Sequence, residues 1–532
     1  MARQNEEKKR ISALLEITPD QALDAMRRKI VENKAASRIA LFSLITCFFC
    51  YFYEMIEGYG CPDAVAEGVY TYVGQKNAYS LARWMIPFLN KVIGSNVVIP
   101  FIIILVYCVL IATSTYLLCR EFQIGSPSQQ ILLAGFSISF PVVIRQYAYL
   151  YMATSYAFSF LTSVLAVICF RKKNLWGYFR GTVCVILMLG AYQSNVAAVA
   201  SLALVFLARD VYQEEKPKEI IKWFCATVIC GGIASVLNLG IARGMASLAG
   251  VPMADKVSAF SIKEIVKYLY FTIPWSARWF FMYFKSGVLA RNLVYVVLFL
   301  ILLAETICMA WGLFQRKKWI RAILLLLFVV AEPFFMNLCV ILFPHNGIID
   351  YMRYHYVIMF AQIVAWHGFL KGKLTGNLAR WITSLSLFYL VCTYVISANS
   401  TAFLYRLEYE SCHDQAVQML SEVRHLEGYD PDETKIVLGS AILYQDTSAA
   451  FGTLLQYAVM DGGPIFWNDA HGMTTCRYWY FLDYLGVNPK WIDATEWIHV
   501  ISSEEYAEMP AWPKEGSVRM IDGYAVIKTL DQ

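Results

Sequence analysis

The sequence predicts a polytopic α-helical membrane protein that ends in a small α/β domain outside the membrane. Of its 532 residues, 58% are hydrophobic and only 16% are charged, whereas soluble domains carry about 25% charged residues. The apolar residues form runs of roughly 20, the length a helix needs to cross the hydrocarbon core. Residues 1–398 contain 37 Lys and Arg against 20 Asp and Glu, but residues 399–532 contain 8 against 20. The chain therefore has two chemically different parts.

Residues 1–37 are polar and are predicted to stay in the cytoplasm. No apolar run precedes Arg38, so no cleavable signal peptide is expected, and the first apolar run would act as a signal anchor. The step Thr18-Pro19-Asp20-Gln21 is typical of a helix N-terminus with proline at the first helical position. It predicts an amphipathic helix to about Asn33 that lies on the inner membrane surface.

Residues 38–398 are predicted to form a transmembrane body of about eleven helices. The apolar runs lie near 38–56, 98–118, 128–145, 152–170, 180–192, 194–209, 222–240, 290–314, 320–343, 356–370 and 379–398. The loops that would then face the cytoplasm are rich in Lys and Arg, as at 171–173 and 316–318, in agreement with the positive-inside rule. An odd number of helices places the C-terminal part outside the cell.

The runs 180–192 and 194–209 are short and meet at Gly190–Asn195. One continuous helix is the alternative. A break is favoured because a polar Gln-Ser-Asn step at this depth needs protein or water to satisfy the freed backbone groups. Merging the two runs would also turn the later basic loops to the outside, against the charge rule.

Residues 399–532 lack an apolar stretch long enough to cross a membrane and are predicted to form an external α/β domain. Helical spacing over 405–427 indicates a helix, and 435–439 resembles a short buried strand. A further helix is expected near 478–485. The step Asp522-Gly523 predicts a terminal hairpin.

Most of the 14 cysteines fall inside the apolar runs, where cysteine packs as a small hydrophobic residue. Cys61, Cys412 and Cys476 lie outside such runs. A disulfide between Cys412 and Cys476 stays open, because nothing in the sequence fixes the redox compartment.

The common motifs of soluble enzymes are missing from the sequence. There is no G-x-x-x-x-G-K phosphate loop, no G-x-S-x-G elbow and no H-E-x-x-H motif, and no two C-x-x-C motifs that could form a pair. The seven histidines show no ligand spacing. Nucleotide-driven chemistry inside the cell is thus poorly supported, and the acidic C-terminal part disfavours a nucleic-acid partner.

The first external loop, residues 57–97, contains the clearest chemical signal. Acidic residues crowd this loop and its approach: Glu54, Glu57, Asp63 and Glu67. Carboxylates beside apolar walls can have raised pKa values and act as general bases. We predict Asp63 as the base, with Glu67 as its helper or as a metal ligand, because positions i and i+4 share a helix face. Whether a divalent cation assists stays open, and Glu54 is interpreted as a boundary residue.

Arg83, Arg145 and Arg353 are the candidates for binding a phosphate, because a guanidinium can hold phosphate as a bidentate partner. Arg145 and Arg353 both lie in tyrosine-rich stretches. The alternative for these two is an interfacial belt that anchors helix ends. Tyr192 and Gln193 are candidates for facing a sugar, and a role in satisfying backbone groups at the helix break is equally open.

Glu332 precedes Pro333 within an apolar run. Placing an acidic side chain inside a membrane span costs free energy, so such a residue is first considered as a functional one. We predict that Glu332 lines a cavity for lipid or acceptor. The alternative is a protonated structural glutamate that pairs across helices.

Several of these segments together resemble the GtrII-type glucosyltransferases found in Gram-positive bacteria. Pro62-Asp63-x-x-x-Glu67-Gly-x-Tyr70, followed by Leu81–Leu89 with its Ala82-Arg83-Trp84 step, resembles the family's first external loop. Gly190-Ala191-Tyr192-Gln193 resembles its G-x-Y-Q step. The external tail is similar at Gly428–Pro431, Tyr484–Gly486 and Met509–Pro513. One departure is Ala82, where many members have glycine.

The resemblance implies the GT-C architecture, in which the first external loop supplies the catalytic acid. It implies a polyprenyl-phosphate sugar donor, such as undecaprenyl-phosphate glucose, in the outer leaflet of the plasma membrane, and a cell-envelope glycan as acceptor. The substrate-binding residues would then be Arg83, Trp84, Arg145, Tyr192, Gln193, Glu332 and Arg353. The donor sugar, the acceptor polymer, the stereochemical outcome and the oligomeric state do not follow from the sequence.

The rival function is a transporter or flippase for a lipid-linked glycan. Such a protein should have paired, Gly- or Pro-interrupted spans in two corresponding halves and binding groups near the midplane. The unusual residues here gather at the predicted outer face instead, which favours the glycosyltransferase.

Overall fold

The computed structural model describes residues 33–57, 78–93, 99–254, 262–343, 350–370, 374–439, 492 and 494–529. Several predictions lie outside these residues: the N-terminal helix before Asn33, Asp63 and Glu67 of the first external loop, Cys61 and Cys476, and the helix near 478–485.

The first half of the described chain is helical. Its α-helices are α1 (Lys34–Glu57), α2 (Met85–Ile93), α3 (Pro100–Glu121), α4 (Pro127–Ser139), α5 (Pro141–Tyr147), α6 (Leu150–Phe170), α7 (Leu175–Ala191), α8 (Val196–Tyr212) and α9 (Pro217–Leu248). Four of these helices begin at a proline, whose missing N–H costs nothing in the first turn.

The second half continues the bundle and ends in a small sheet. It contains α10 (Ile262–Tyr283), α11 (Leu289–Gln315), α12 (Trp319–Met336), α13 (Leu338–Leu342), α14 (Val357–Trp366), α15 (Leu374–Arg424), β1 (Ile436–Leu438), α16 (Ala494–Ile501), α17 (Glu504–Glu508), β2 (Val518–Ile521) and β3 (Tyr524–Ile527). Short 3-10 turns at 350–352 and 354–356 precede α14.

Nine segments of the described chain are long and apolar enough to cross a membrane. They include α4 and α5 as one unit, Pro127–Tyr147, and the first part of α15, Gly376–Leu407. The other two of the eleven predicted runs form shorter helices, α7 with 17 residues and α14 with 10. The chain is therefore a polytopic membrane protein with a mostly helical body.

The predicted break between α7 and α8 is confirmed. Helix α7 ends at Ala191, Tyr192 is extended, and a 3-10 turn, Gln193–Asn195, leads into α8. Ser159 on α6 donates its hydroxyl to the carbonyls of Met188 and Tyr192 at 3.1 and 3.0 Å. A protein hydroxyl thus provides a hydrogen-bond partner for backbone carbonyls at the break, as the membrane environment requires.

The opposite end of α8 lies in a cluster of ion pairs, here called the Asp210 end. Asp210 is fully buried and accepts two hydrogen bonds from Arg171, each 2.9 Å long. A hydrogen bond from Lys173 lowers the pKa of Glu215. Because α8 has 17 residues, this end lies about 25 Å from the α7–α8 break.

Helix α15 has 51 residues and runs without interruption across the predicted boundary between residues 398 and 399. Its last turns pack Met419 and Val423 against strand residues that include Val437 and Val526. The membrane body and the C-terminal part therefore share one continuous helix.

The sheet in the C-terminal part has the order β1-β3-β2, with β1 parallel to β3 and β2 antiparallel to it. All three residues of β1 are buried. Asp522 and Gly523 take φ values of 48° and 81°, as a tight type I′ hairpin requires. The strand and the hairpin match the sequence prediction.

Candidate active site

Four tyrosines, here called the tyrosine cluster, connect separate elements at the end of the bundle away from Asp210. Tyr156 on α6 packs edge-on against Tyr192 of the helix break, with ring centroids 4.6 Å apart. Tyr351 lies 5.9 Å from Tyr156 and 5.0 Å from Tyr149. Such tilted aromatic pairs are favourable contacts. The cluster therefore holds the start of α6, the helix break and the segment before α14 together.

Arg145 and Arg353 converge on one carboxylate beside this cluster. Asp350 Oδ2 lies 2.7 Å from Arg145 Nη1, and its Oδ1 lies 2.6 Å from Arg353 Nη1. The guanidinium of Arg353 also lies over the rings of Trp279 and Tyr283, at 5.1 and 5.5 Å. Two of the three predicted arginines thus meet, and together with Asp350 they keep a net charge of +1.

Asp350 was not among the residues predicted from the sequence. The available signal was its spacing, because an acid three residues before Arg353 can pair with it. The partnership with Arg145 joins residues about 200 positions apart in sequence and has no local signature. This end of the bundle is called the Asp350 end below.

Arg83 lies on the far side of the tyrosine cluster. Its guanidinium is 5.3 Å from the ring centroid of Tyr192, and Nη1 contacts Met152 Sδ at 3.5 Å. Within the part of the chain that the structure describes, no carboxylate forms an ion pair with Arg83. A guanidinium can hold an anion such as phosphate as a bidentate partner.

The backbone before Arg83 is attached to the helix break by Gln193. Its Nε2 donates to the carbonyl oxygens of Leu81 and Ala82 at 2.9 and 3.1 Å. Ala82 has a φ of 58° and is 2% exposed. This left-handed conformation favours glycine, so the one departure from the family pattern falls where glycine fits best. Of the two roles left open for Gln193, its contacts match the binding of backbone groups.

Trp84 packs on the end of α7. A Cβ placed on Gly190 would lie 2.5 Å from Trp84 Cε2, closer than real contacts allow. The indole Nε1 donates to Asn238 Oδ1 on α9 at 2.8 Å. Because the indole N–H already has a partner, a substrate contact at Trp84 would come from its ring.

Glu332 on α12 is 2% exposed and accepts a 2.6 Å hydrogen bond from Gln362 Nε2 on α14. It also lines a cavity of about 350 Å³. Both interpretations of Glu332 therefore describe part of its setting: it pairs across helices, and it faces a cavity.

The cavity beside Glu332 is apolar and opens to the outer flank of the bundle. Its walls include Phe280, Phe281, Phe299, Val330, Pro333 and Met359. Phe281 and Val330 are 59% and 65% exposed, whereas Phe280 and Met359 are buried. In a membrane the exposed residues would face lipid, so the cavity runs from the lipid side into the bundle.

Helix α10 connects this cavity to Arg353. Trp279 and Tyr283 contact the Arg353 guanidinium, while Phe280 and Phe281 line the cavity. Phe280 also packs against Tyr356, with centroids 5.4 Å apart. The arginines at the Asp350 end and the apolar cavity therefore share one wall.

The structure brings Arg83, Trp84, Arg145, Tyr192, Gln193 and Arg353 into one region and places Glu332 at the adjoining cavity. Asp63 and Glu67 lie outside the described residues. Among the residues that the structure describes, no group of three or more His, Cys, Asp or Glu side chains could hold a metal ion.

Comparison with known proteins gives one match. A family model described as glucosyl transferase GtrII covers residues 67–366, more than half of the 532 residues. The matched range includes Glu67 and all seven predicted substrate-binding residues, and Asp63 precedes it. Neither the curated proteins nor the solved structures contain a significant match.

Proposed function

The chain belongs to the GtrII glucosyltransferase family, and from this membership we propose that it transfers glucose from a polyprenyl-phosphate donor to a cell-envelope glycan. The observation that carries the proposal is the wall that Arg353 shares with an apolar cavity open to the lipid side, with Arg145 and Arg83 at the same end of the bundle. A lipid-linked donor needs both, because its phosphate is anionic and its tail stays in the bilayer.

Arg83 is the proposed ligand of the donor phosphate. Arg145 and Arg353 already share Asp350, whereas no described carboxylate pairs with Arg83. A guanidinium can hold two phosphate oxygens at once. The net positive charge of the Arg145–Asp350–Arg353 group adds to the attraction at a partly dehydrated site.

The apolar cavity is the proposed place for the first isoprene units of the donor. Its exposed mouth at Phe281 and Val330 lets the rest of the chain remain among the lipid tails. Its aromatic walls offer close packing, which drives association in a medium without a hydrophobic effect. Helix α10 would then connect the bound tail to Arg353.

Asp63 is the proposed general base, with Glu67 as its helper or as the ligand of a divalent cation. The base takes the proton of the acceptor hydroxyl as its oxygen bonds to the anomeric carbon. The bond from that carbon to the phosphate oxygen breaks, and the electron pair leaves with polyprenyl phosphate. Arg83 stabilises the charge that develops on this leaving group.

The proposed orientation places the Asp210 end in the cytoplasm and the Asp350 end at the outer face of the plasma membrane. The Asp210 end carries Arg171, Lys172 and Lys173 together with the basic residues Arg316, Lys317 and Lys318, in agreement with the positive-inside rule. The N-terminus would lie in the cytoplasm and the acidic C-terminal part outside the cell.

The test is glucose transfer by purified protein in liposomes. Radiolabelled glucose is offered as synthetic polyprenyl-phosphate glucose or as a nucleotide-linked sugar, with cell-wall glycan as acceptor. We expect transfer from the lipid-linked donor alone, with strong loss in Asp63→Asn, partial loss in Glu67→Gln and none in the exposed control Asp414→Asn. Repeating the reaction with a chelator tests the divalent cation.

The opposite outcome would be no transfer from any lipid-linked sugar while lipid-linked glycan crosses vesicles that contain the protein. That result would favour the transporter function over the glycosyltransferase function.

A further inference from the structure

We infer that Gln193 is a positioning residue that sets the direction of Arg83 by holding the left-handed turn at Ala82, and that it does not bind the sugar. The inference rests on the proposed function, because it concerns the arginine assigned to the donor phosphate. Gln193 supports it through its bonds to the backbone carbonyls of Leu81 and Ala82.

The two hydrogen bonds of Gln193 act on both sides of one Cα atom. The carbonyl of Leu81 belongs to the peptide unit before Ala82, and the carbonyl of Ala82 belongs to the unit after it. Bonds to both carbonyls restrain both φ and ψ of Ala82. One side-chain amide therefore helps to hold the backbone from which the Arg83 side chain departs, in addition to the main-chain bonds of Ala82 and Arg83.

The conformation that Gln193 holds is one that alanine avoids by itself. Ala82 has a φ of 58°, where the Cβ of an L-residue is crowded by the backbone. Its own N–H bonds to Tyr79 O at 3.1 Å, and the Arg83 N–H bonds to Ala78 O at 2.8 Å. These bonds end the preceding turn, while the Gln193 bonds connect it to the rest of the bundle.

The helix break supports Arg83 at two points at once. Gln193 holds the backbone before it, and the neighbouring Tyr192 places its ring against the guanidinium. On the other side Trp84 is fixed by Gly190 and Asn238. Arg83 thus lies between two attachments, with little freedom left to its main chain.

This arrangement matters for catalysis because electrostatic stabilisation of a leaving group depends on preorganised geometry. A shift of about 1 Å in a positioned group can cost about 100-fold in rate. Loss of the Gln193 bonds should therefore lower kcat more than it raises the KM for the donor. A residue in contact with glucose would change sugar selectivity instead.

The experiment compares Gln193→Met, which keeps the length but has no donor, with the double variant Gln193→Met/Ala82→Gly. We expect Gln193→Met to lower kcat by about 10- to 100-fold with a nearly unchanged preference for glucose over galactose donors. Glycine adopts the left-handed turn without help, so Ala82→Gly should restore much of the lost rate. The control Gln213→Met at the Asp210 end should behave like the wild type.

Hydrogen–deuterium exchange over residues 78–90 provides a readout that needs no activity. Gln193→Met should exchange faster there than the wild type and Gln213→Met. A wild type that transfers no glucose would refute the proposed function but would leave this comparison intact. The inference is overturned if Gln193→Met alters the choice of sugar, gains nothing from Ala82→Gly, or leaves exchange over residues 78–90 unchanged.

Discussion

The indole of Trp84 occupies the space that a side chain at Gly190 would need. A Cβ on Gly190 would lie 2.5 Å from Trp84 Cε2 and 2.7 Å from its Nε1. The two residues belong to motifs about 100 positions apart, Ala82-Arg83-Trp84 and Gly190-Ala191-Tyr192-Gln193. This contact explains the glycine of the second motif by packing and connects both motifs to one site.

Replacing Gly190 by alanine should therefore destabilise the protein. Forcing an extra methyl group into a packed contact costs about 1–3 kcal/mol, so the unfolding temperature in detergent and the transfer rate should both fall. Gly240→Ala on α9 is the matched control, because a Cβ there meets nothing within 4 Å. Equal stability and activity of the two variants would show that Trp84 does not need this space.

Replacing Asp350 by asparagine should loosen the pair of arginines. The amide keeps the size but removes the charge that Arg145 and Arg353 share. Arg353 is 1% exposed, whereas 26% of the Asp350 side chain is exposed. We therefore expect the free energy of unfolding to fall by about 1–3 kcal/mol, between the values for exposed and buried ion pairs.

Denaturant unfolding monitored by tryptophan fluorescence measures this loss. Glu410→Gln removes one partner of an exposed ion pair with Arg406 and should change the stability little, because solvent screens such a pair. If Asp350→Asn is no less stable than Glu410→Gln, then Asp350 does not hold the two arginines.

Ala82→Gly should stabilise the protein when it is made alone. Glycine removes the steric crowding of an alanine in the left-handed conformation, but it loses more chain entropy on folding, which offsets part of this gain. The net gain in the free energy of unfolding is up to about 1 kcal/mol. Ala134→Gly, a buried position inside α4, should instead destabilise by about 1 kcal/mol. Thermal unfolding of both variants decides the matter, and a destabilised Ala82→Gly would argue against a left-handed turn.

Val330→Trp should narrow the mouth of the apolar cavity. We expect a KM for a long polyprenyl-phosphate glucose about 10-fold higher, equal to about 1.4 kcal/mol of binding, and little change for a donor with two isoprene units. Leu327→Trp, an exposed position on the same helix outside the cavity, is the control. Equal effects on long and short donors would show that the donor tail does not bind in this cavity.

The sequence predicted those parts of the fold that follow from local patterns. Apolar runs of membrane length predicted the membrane-spanning helices, but α10 was not among them. The Asp522-Gly523 step predicted the hairpin with its two positive φ values. The Gln193-Ser194-Asn195 step predicted the helix break, because polar groups in a membrane need partners. The continuity of α15 across residues 398 and 399 was not predicted, because a change of composition does not end a helix.

Several residues of the candidate site were singled out from the sequence, but Asp350 and the contacts among these residues were not. Arg145 and Arg353 were singled out by charge, yet their shared partner Asp350 joins them only through the fold. Gln193 was singled out by its motif, and its two bonds to residues more than 100 positions away could be found only in three dimensions.

The role of Arg83 in glucose transfer from a lipid-linked donor is tested by the transfer rate of Arg83→Met, measured beside the wild type and Arg243→Met. Arg243 is an exposed arginine on α9 and provides the control for loss of one positive charge. This role predicts transfer from polyprenyl-phosphate glucose by the wild type and by Arg243→Met, with a loss of about 100-fold or more in Arg83→Met. An Arg83→Met protein as active as the wild type, or a wild type that transfers no glucose from this donor, would contradict it.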